Sequence, residues 1–378
     1  MSDPTSNPLG RDLPSSSVNV NSLAGFGGLA QNMWPLGLPT ATLLDQSLEG
    51  WRGNTLLGGL APAALGRYRS RSDWNDRFEH WERPASTTEE SSLDRGRRMV
   101  KAAIKDAVWL NTQMASVEPQ GSYHNNTNTR IDSDVDLRVQ LPLIKVFYHP
   151  NVAVPYARSV LGLSDSSWSY QQIFSIVRRE LEACLCKAFG KENVIPGKKA
   201  FRIKGITGSR AEVDVVPAIW YQNIMWWGFE NRYNTIEGVA ILSTDGNWTH
   251  NYPDHHRASG LTKRARTGHQ FKKVVRIFKR LRADLAERGL LLTKVPSFLV
   301  ESLIYNVEDW HFNVPGDDRY DRVRRVARRL QSMLSHGPTA TCALEVNGIK
   351  PLFTTDQAWT LADAITFANA VVTHIGDA

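Results

Sequence analysis

The chain has 378 residues, of which 42% are hydrophobic, so it is long enough for two domains with cores of their own. Lysine and arginine number 45 against 38 aspartates and glutamates, a formal net charge of +7, which suits a protein that handles triphosphates or nucleic acid but is also common elsewhere. No uninterrupted apolar run reaches the length that crosses a bilayer, which argues against transmembrane helices.

The cysteines and the N-terminus indicate the compartment. Cys184, Cys186 and Cys342 form neither a disulfide framework nor a zinc ribbon, so a reducing cytoplasm is the simplest location. The N-terminus lacks the basic segment followed by an apolar one that marks a secretion signal. We therefore expect a cytoplasmic protein that does not associate with membranes. We also expect it to be a monomer.

The N-terminal part divides into a leader and a helix. Residues 1–72 are rich in Ser, Asn, Pro, Gly and Leu without sustained periodicity, which predicts a mostly disordered leader. Order is expected to begin near residues 74–81. Thr87 and Glu90 fit a capping box, and apolar residues then recur at helical spacing, so one long helix is predicted to run to about Gln113.

A strict alternation of apolar and polar residues from 134 to 141 predicts a half-buried strand. The buried positions are Val135, Leu137, Val139 and Leu141, and the open-face positions are Asp134, Asp136, Arg138 and Gln140. Adjacent carboxylates repel each other, and a hard ion such as Mg²⁺ would neutralise Asp134 and Asp136. The Gly121-Ser122 turn upstream could close on a phosphate. The alternative is a surface strand with two solvated aspartates.

A third carboxylate follows in a predicted hairpin. Residues 200–204 and 211–217 alternate around a turn, as two paired strands would. Asp214 lies on the face opposite Val213 and Val215, so it can point toward the same surface as the earlier aspartates. Taken by itself, however, Asp214 is better interpreted as a solvated strand aspartate.

The second half of the chain is predicted to be largely helical. Apolar spacing predicts helices over 173–188, 271–288, 317–335 and 356–374. The cations of the helix 271–288 are interpreted as a solvated face. Residues 243–270 are predicted to form a loop in which His255 and His256 are exposed or hydrogen-bonded and do not bind a metal.

Three strings together resemble the signature of nucleotidyltransferases of the polymerase-beta superfamily. They are QGSY at 120–123, NNTN at 125–128 and DSDVDL at 132–137. The chain looks most like the cGAS/DncV-like group, the bacterial CD-NTases that make cyclic oligonucleotide second messengers. VDVVP at 213–217 resembles the family strand that carries the third metal carboxylate.

The resemblance implies an α/β fold with two lobes. A polymerase-beta-like nucleotidyltransferase core, a mixed twisted sheet with helices, would span residues 73–245. A helical C-terminal lobe would span 246–378, with the active cleft between the two.

The resemblance also implies a catalytic metal site. Asp134 and Asp136 would bind both of two Mg²⁺ ions, for which Mn²⁺ could substitute, and Asp214 would complete the site. Gln120, Gly121 and Ser122 would position the donor phosphates.

Further nucleotide contacts are implied in the helical lobe. Lys279 resembles the family lysine that reaches the donor triphosphate. Ser297 would contact phosphate, with a helix cap as the alternative. Phe298 would stack on the donor base, with core packing as the alternative.

By resemblance, the chain would convert NTPs into a cyclic di- or trinucleotide, release pyrophosphate and activate a downstream effector in bacterial anti-phage signalling. Because a zinc ribbon is absent from the sequence, activation by duplex DNA is not expected. The alternatives are a related transferase that makes a linear oligonucleotide or nucleotidylates RNA, and a catalytically inactive nucleotide-binding module.

Overall fold

A computed structural model describes residues 70–129, 135–226 and 233–376, so the predicted leader lies outside the described residues except at its last positions. The helices of the described part are α1 (Arg71–Trp81), α2 (Thr87–Lys105), α3 (Val108–Thr112), α4 (Gly121–His124), α5 (Val154–Val160), α6 (Tyr170–Phe189), α7 (Pro253–Arg266), α8 (Gln270–Glu287), α9 (Ser297–Asn306), α10 (Arg319–Ser335), α11 (Gly337–Thr341) and α12 (Leu361–Ile375). The strands are β1 (Ser116–Gln120), β2 (Val135–Tyr148), β3 (Val194–Pro196), β4 (Phe201–Ile203), β5 (Val213–Trp226), β6 (Tyr233–Leu242) and β7 (Trp248–Asn251).

The strands form one mixed sheet, as predicted. Its order is β1-β2-β5-β4-β3, and the far half of β5 also pairs with β6, which pairs with β7. The strands β2 and β5 are parallel, whereas the other pairs are antiparallel. The predicted hairpin is confirmed, since β4 pairs with the start of β5.

One face of the sheet is covered by α2 and α6, and this contact forms the core of the sheet half. The four apolar residues of the predicted alternation, from Val135 to Leu141, are completely buried in it. The opposite face differs from the prediction at two positions. Arg138 and Gln140 are 4% and 3% exposed, because this part of β2 is covered, with Arg138 paired to Asp254 of α7.

The first helical region begins and ends differently from the prediction. The capping box lies one residue earlier, at Ser86 and Glu89, whose side chains bond reciprocally to the backbone. The single long helix is interrupted after Lys105, because Ala107 adopts an extended conformation before α3 begins.

The predicted loop at 243–270 is wrong, because the segment contains β7 and α7. Pro253 opens α7, where its missing N–H costs no hydrogen bond. The buried residues of this helix are His256, Gly260 and Lys263, so its inward face has no apolar stripe.

The helical half has its own core, built mainly by α8, α9, α10 and α12. The predicted apolar stripe of α8, from Phe271 to Leu285, is fully buried within it. Trp74 and Phe78 of α1 also belong to this core, although α1 precedes the sheet in the chain. Within the described ranges, no helix is both long and apolar enough to span a membrane.

Candidate active site

Four polar residues form a row across the face of the sheet that is opposite to α2 and α6. In the strand register, Gln120 of β1 lies opposite Asp136 of β2, Asp136 opposite Asp214 of β5, and Asp214 opposite Arg202 of β4. Residues directly opposite each other on neighbouring strands point to the same face, and the strands lie about 4.8 Å apart. The row therefore holds two carboxylates as immediate neighbours, as the sequence predicted for Asp136 and Asp214.

The Gly121 turn lies directly against this row. Gly121 has a φ of +71°, and a β-carbon built on it would lie 1.8 Å from Oδ2 of Asp136. Any other residue would displace the carboxylate, so glycine is required by both the backbone conformation and the contact. Ser122 follows directly in α4.

A cation neighbours the acids at the other end of the row. Nε of Arg202 lies 3.3 Å from Oδ1 of Asp214 and 3.1 Å from Oε1 of Glu212. The side chain of Arg202 is 54% exposed and that of Asp214 is 27% exposed, so the pair is accessible from solvent. Our sequence reasoning missed Arg202, although it alternates with the buried Phe201 and Ile203 in the same hairpin that presents Asp214.

The described part of this site fits a hard divalent cation, because its donors are carboxylate oxygens placed side by side. Asp134, the third predicted ligand, lies outside the described residues. Among the residues that the structure does describe, no group of three or more His, Cys, Asp or Glu side chains is close enough to hold a metal. The structure thus brings two of the three predicted acids together.

The cations of α8 do not form the predicted solvated face. Lys272, Arg276 and Lys279 are 8%, 6% and 1% exposed. Nζ of Lys279 lies 3.0 Å from Oε2 of Glu301, 3.0 Å from the carbonyl oxygen of Thr127 and 3.3 Å from Oγ1 of Thr127. Its proposed contact with a triphosphate therefore stays a prediction.

Glu301 is the centre of this buried network. It also accepts hydrogen bonds from Nε2 of His256 at 2.9 Å and from Oγ1 of Thr127 at 2.6 Å. Burial favours the neutral acid, but the charge of Lys279 and the bonds from His256 and Thr127 outweigh it and hold the pKa of Glu301 far below its usual range. The prediction that His256 is hydrogen-bonded is confirmed.

The remaining predicted contacts lie at the start of α9. Pro296 occupies the N-cap position and Ser297 is the first helical residue, so the helix-cap alternative for Ser297 does not hold. Phe298 is half-buried, and its ring centroid lies 5.8 Å from that of Trp359 and 5.7 Å from that of His256. The nucleotide roles of Ser297 and Phe298 remain predictions.

Comparison with known proteins confirms the resemblance. Residues 258–376 match the family model of the cGAS/DncV-like nucleotidyltransferase C-terminal helical domain. The chain is 37% identical to a cyclic dipyrimidine nucleotide synthase CdnE of Legionella pneumophila, over 76% of this chain and 92% of that protein. It is 27% identical to a cyclic dipyrimidine nucleotide synthase CdnE of Cecembia lonarensis, over 79% of this chain and 97% of that protein.

A solved structure supports the same assignment. The c-UMP-AMP synthase CdnE of Rhodothermus marinus, solved with Apcpp and Upnpp, superposes with a TM-score of 0.64 at 26% identity. The match covers 79% of this chain and 94% of that one. The shared architecture therefore includes both the mixed sheet and the helical half.

Proposed function

This chain belongs to the cGAS/DncV-like nucleotidyltransferases, and we propose that it joins nucleoside triphosphates into a cyclic di- or trinucleotide with release of pyrophosphate. The observation that carries this proposal is the pairing of Asp136 with Asp214 in register, with Gly121 packed against the first carboxylate. The names of the related synthases support cyclisation of the product.

The acids would bind the metal ions, and the turn would bind the donor phosphates. Asp136 and Asp214, together with Asp134, would hold two Mg²⁺ ions or Mn²⁺ in their place. When bound, the ions supply charge neutralisation for the triphosphate and activation of the attacking hydroxyl. Ser122 and Gln120 would hold the donor phosphates so that the α-phosphorus faces the acceptor ribose.

Each transfer forms one bond and breaks another. The acceptor hydroxyl oxygen bonds to the α-phosphorus, and the bond from that phosphorus to the bridging oxygen of the pyrophosphate breaks. A final transfer within the same chain of nucleotides closes the ring.

The helical half would contribute to donor binding. Ser297 would contact a phosphate at the start of α9, and Phe298 would stack on a base from its half-buried position. Lys279 could reach the triphosphate only if its ammonium left Thr127 and Glu301.

We propose that pyrimidine nucleotides are among the substrates, because the names of two synthases with extensive coverage specify a cyclic dipyrimidine product. We further propose that the product is a second messenger for an effector in anti-phage defence, made by a monomeric cytoplasmic enzyme that does not need duplex DNA.

The reaction is tested with purified protein, Mg²⁺ and NTPs labelled in the α-phosphate, followed by phosphatase. A cyclic product is unchanged by phosphatase because it has no terminal phosphate. A product that loses its 5′-terminal phosphates to phosphatase, and keeps only the label of its internal phosphodiesters, would indicate a linear oligonucleotide instead. NTP binding without pyrophosphate release would indicate an inactive binding module.

A further inference from the structure

Four consecutive backbone carbonyls, from His124 to Thr127, each accept a hydrogen bond from a different cationic side chain of the helical half. The donors and their distances to the carbonyl oxygens are Arg257 Nη1 to His124 at 2.8 Å, Lys272 Nζ to Asn125 at 2.6 Å, Arg276 Nη1 to Asn126 at 2.8 Å and Lys279 Nζ to Thr127 at 3.0 Å. We call these four side chains the carbonyl clamp.

The spacing of the donors explains how one helix serves three successive carbonyls. Lys272, Arg276 and Lys279 are separated by four and three residues, so they lie on one face of α8. The carbonyls that they bind follow one another along the chain in the same order as the three donors in α8. Asn126 has a φ of +54°, a conformation that asparagine tolerates better than most residues and that turns the chain within the segment.

Burial of the cations that make these contacts carries an electrostatic cost. Burial, opposed in part by Glu301, lowers the pKa of Lys272 from its ordinary value to about 8. Burial likewise lowers the pKa of Arg276 to about 10. Cations are seldom buried unless they make compensating hydrogen bonds, and here the partners are neutral carbonyls. The hydrogen bonds that compensate these buried cations therefore form only when the segment lies beside α8.

The clamped segment is bonded directly to the turn that precedes it. The amide N of Asn125 donates to the carbonyl oxygen of Gly121 at 3.2 Å, and the amide N of Thr127 donates to that of Ser122 at 3.0 Å. Gly121 in turn packs against Asp136. A continuous set of contacts thus runs from α8 through the segment to the acidic row.

Part of the segment also borders a cavity. Two of its residues, His124 and Asn126, line a cavity of about 260 Å³ together with Tyr123, Asn128 and Arg97. The segment is therefore held from the helical half by its carbonyls and contributes to the wall of this cavity.

We propose that Lys272, Arg276 and Arg257 are positioning residues for nucleotide binding: they hold the Gly121-Ser122 turn in place through the carbonyls that follow it. This inference rests on the proposed function, since the turn is taken to bind the donor phosphates. It extends that function to residues of the helical half that need not touch the nucleotide.

The test combines nucleotide binding with local hydrogen exchange in the intact chain. Lys272→Met and Arg276→Met are compared with Lys273→Met, the adjacent position, whose ammonium lies 3.5 Å from Oε1 of Glu82. The probe is a UTP analogue with a non-hydrolysable α–β bridge, titrated with Mg²⁺. We expect the two clamp variants to bind it about tenfold more weakly, because a lost bond from a charged donor is worth that much or more, and Lys273→Met to bind it normally.

Hydrogen exchange separates positioning from general destabilisation. Amides 125–127 should exchange faster in the clamp variants while the sheet core keeps its protection. Arg276→Lys, which retains a cationic donor, should recover part of the binding. Arg257→Met, at an exposed position, provides the same test if the buried variants do not fold.

Two results would overturn the inference: unchanged exchange in the segment, or faster exchange with unchanged binding of the analogue. Failure of the proposed function gives a different pattern, because wild-type protein would then bind the analogue with the expected clamp dependence but form no nucleotide product. Wild-type protein that bound no analogue would overturn both.

Discussion

The acidic residues of the sheet and the cations of α8 are both concentrations of charge, but they lie in opposite surroundings. Asp136 and Asp214 share one face without full burial, as adjacent like charges that a cation could join. Lys272 and Arg276 are buried, and they donate to backbone carbonyls instead of to solvent. The difference separates the acids of the proposed metal site from buried cations that bond to the segment after the Gly121 turn.

The largest effect is expected from the acids of the sheet. Asp136→Asn or Asp214→Asn should lower the turnover rate about 10³-fold, since one charge at 4 Å is worth about 4 kcal/mol at an effective dielectric of 20. The measurement is the rate of pyrophosphate release at saturating Mg²⁺. Melting temperature should change little, because neither acid belongs to a core.

Asp165→Asn is the matched control, as its carboxylate is 85% exposed and pairs with Arg158 away from the row. If Asp165→Asn lost as much activity as the two site variants, the special role proposed for Asp136 and Asp214 would be contradicted.

The buried charges should matter most for stability. Glu301→Gln leaves the ammonium of Lys279 without its counter-charge, and we expect it to lower the free energy of unfolding by about 3 kcal/mol or more. Urea denaturation measures this. Glu308→Gln removes a partly exposed pair with Arg329 and should cost about 1 kcal/mol or less. Equal losses of unfolding free energy in the two variants would show that the buried pair stabilises the fold no more than the partly exposed pair does.

Gly121 connects the two regions, and its substitution should affect the reaction more than the fold. Gly121→Ala should lower turnover on the order of 10²-fold, because its β-carbon must displace the Asp136 carboxylate. Gly208→Ala has a similar positive φ of +75° but no atom within 4 Å of its β-carbon. Both variants should show similar small losses of stability, and only the first should lose activity. Equal activities would mean that the close contact is not needed.

The smallest effect is expected from pH. Burial and the nearby charge of Arg257 lower the pKa of His124 to about 4, with smaller contributions from Arg138 and Arg97 and an opposing one from Asp254. The unfolded chain, with a pKa near 6.5, then binds more protons between about pH 6.5 and 4, so stability falls as pH drops through that window. His124→Gln should remove about 1 kcal/mol of this loss, an amount reduced by solvent screening. Urea denaturation of the wild type and of His124→Gln at pH 7 and 4.5 measures this loss. An equal loss of stability in both proteins would contradict the prediction.

The sequence predicted the elements in which apolar residues recur with the period of a strand or a helix. The alternation through Val135 and Val139 located the start of β2. The hairpin pattern put Asp214 on the face opposite Val213 and Val215, and the family resemblance assigned it to the same site as Asp136, its neighbour in the strand register. The stripe of α8 was equally readable, since each of its apolar residues lies in the core.

The sequence did not predict features that depend on distant partners. The inward face of α7 carries His256 and Lys263, which bond to Glu301 and to the carbonyl of Val307, so no apolar period marked the helix. The cations of α8 appeared solvated for the same reason, because their acceptors lie about 150 residues earlier in the chain. Only Pro253, a frequent first residue of helices, could have indicated α7.

The most direct test of the central claim is the intact mass of the product made from an NTP mixture that includes UTP and CTP. We predict a mass equal to the sum of nucleotide monophosphate units joined in a ring, with no terminal phosphate, and its absence when Asp136→Asn replaces the wild type. A product that carries a 5′-triphosphate, or a cyclic product that persists undiminished in Asp136→Asn, would contradict the account.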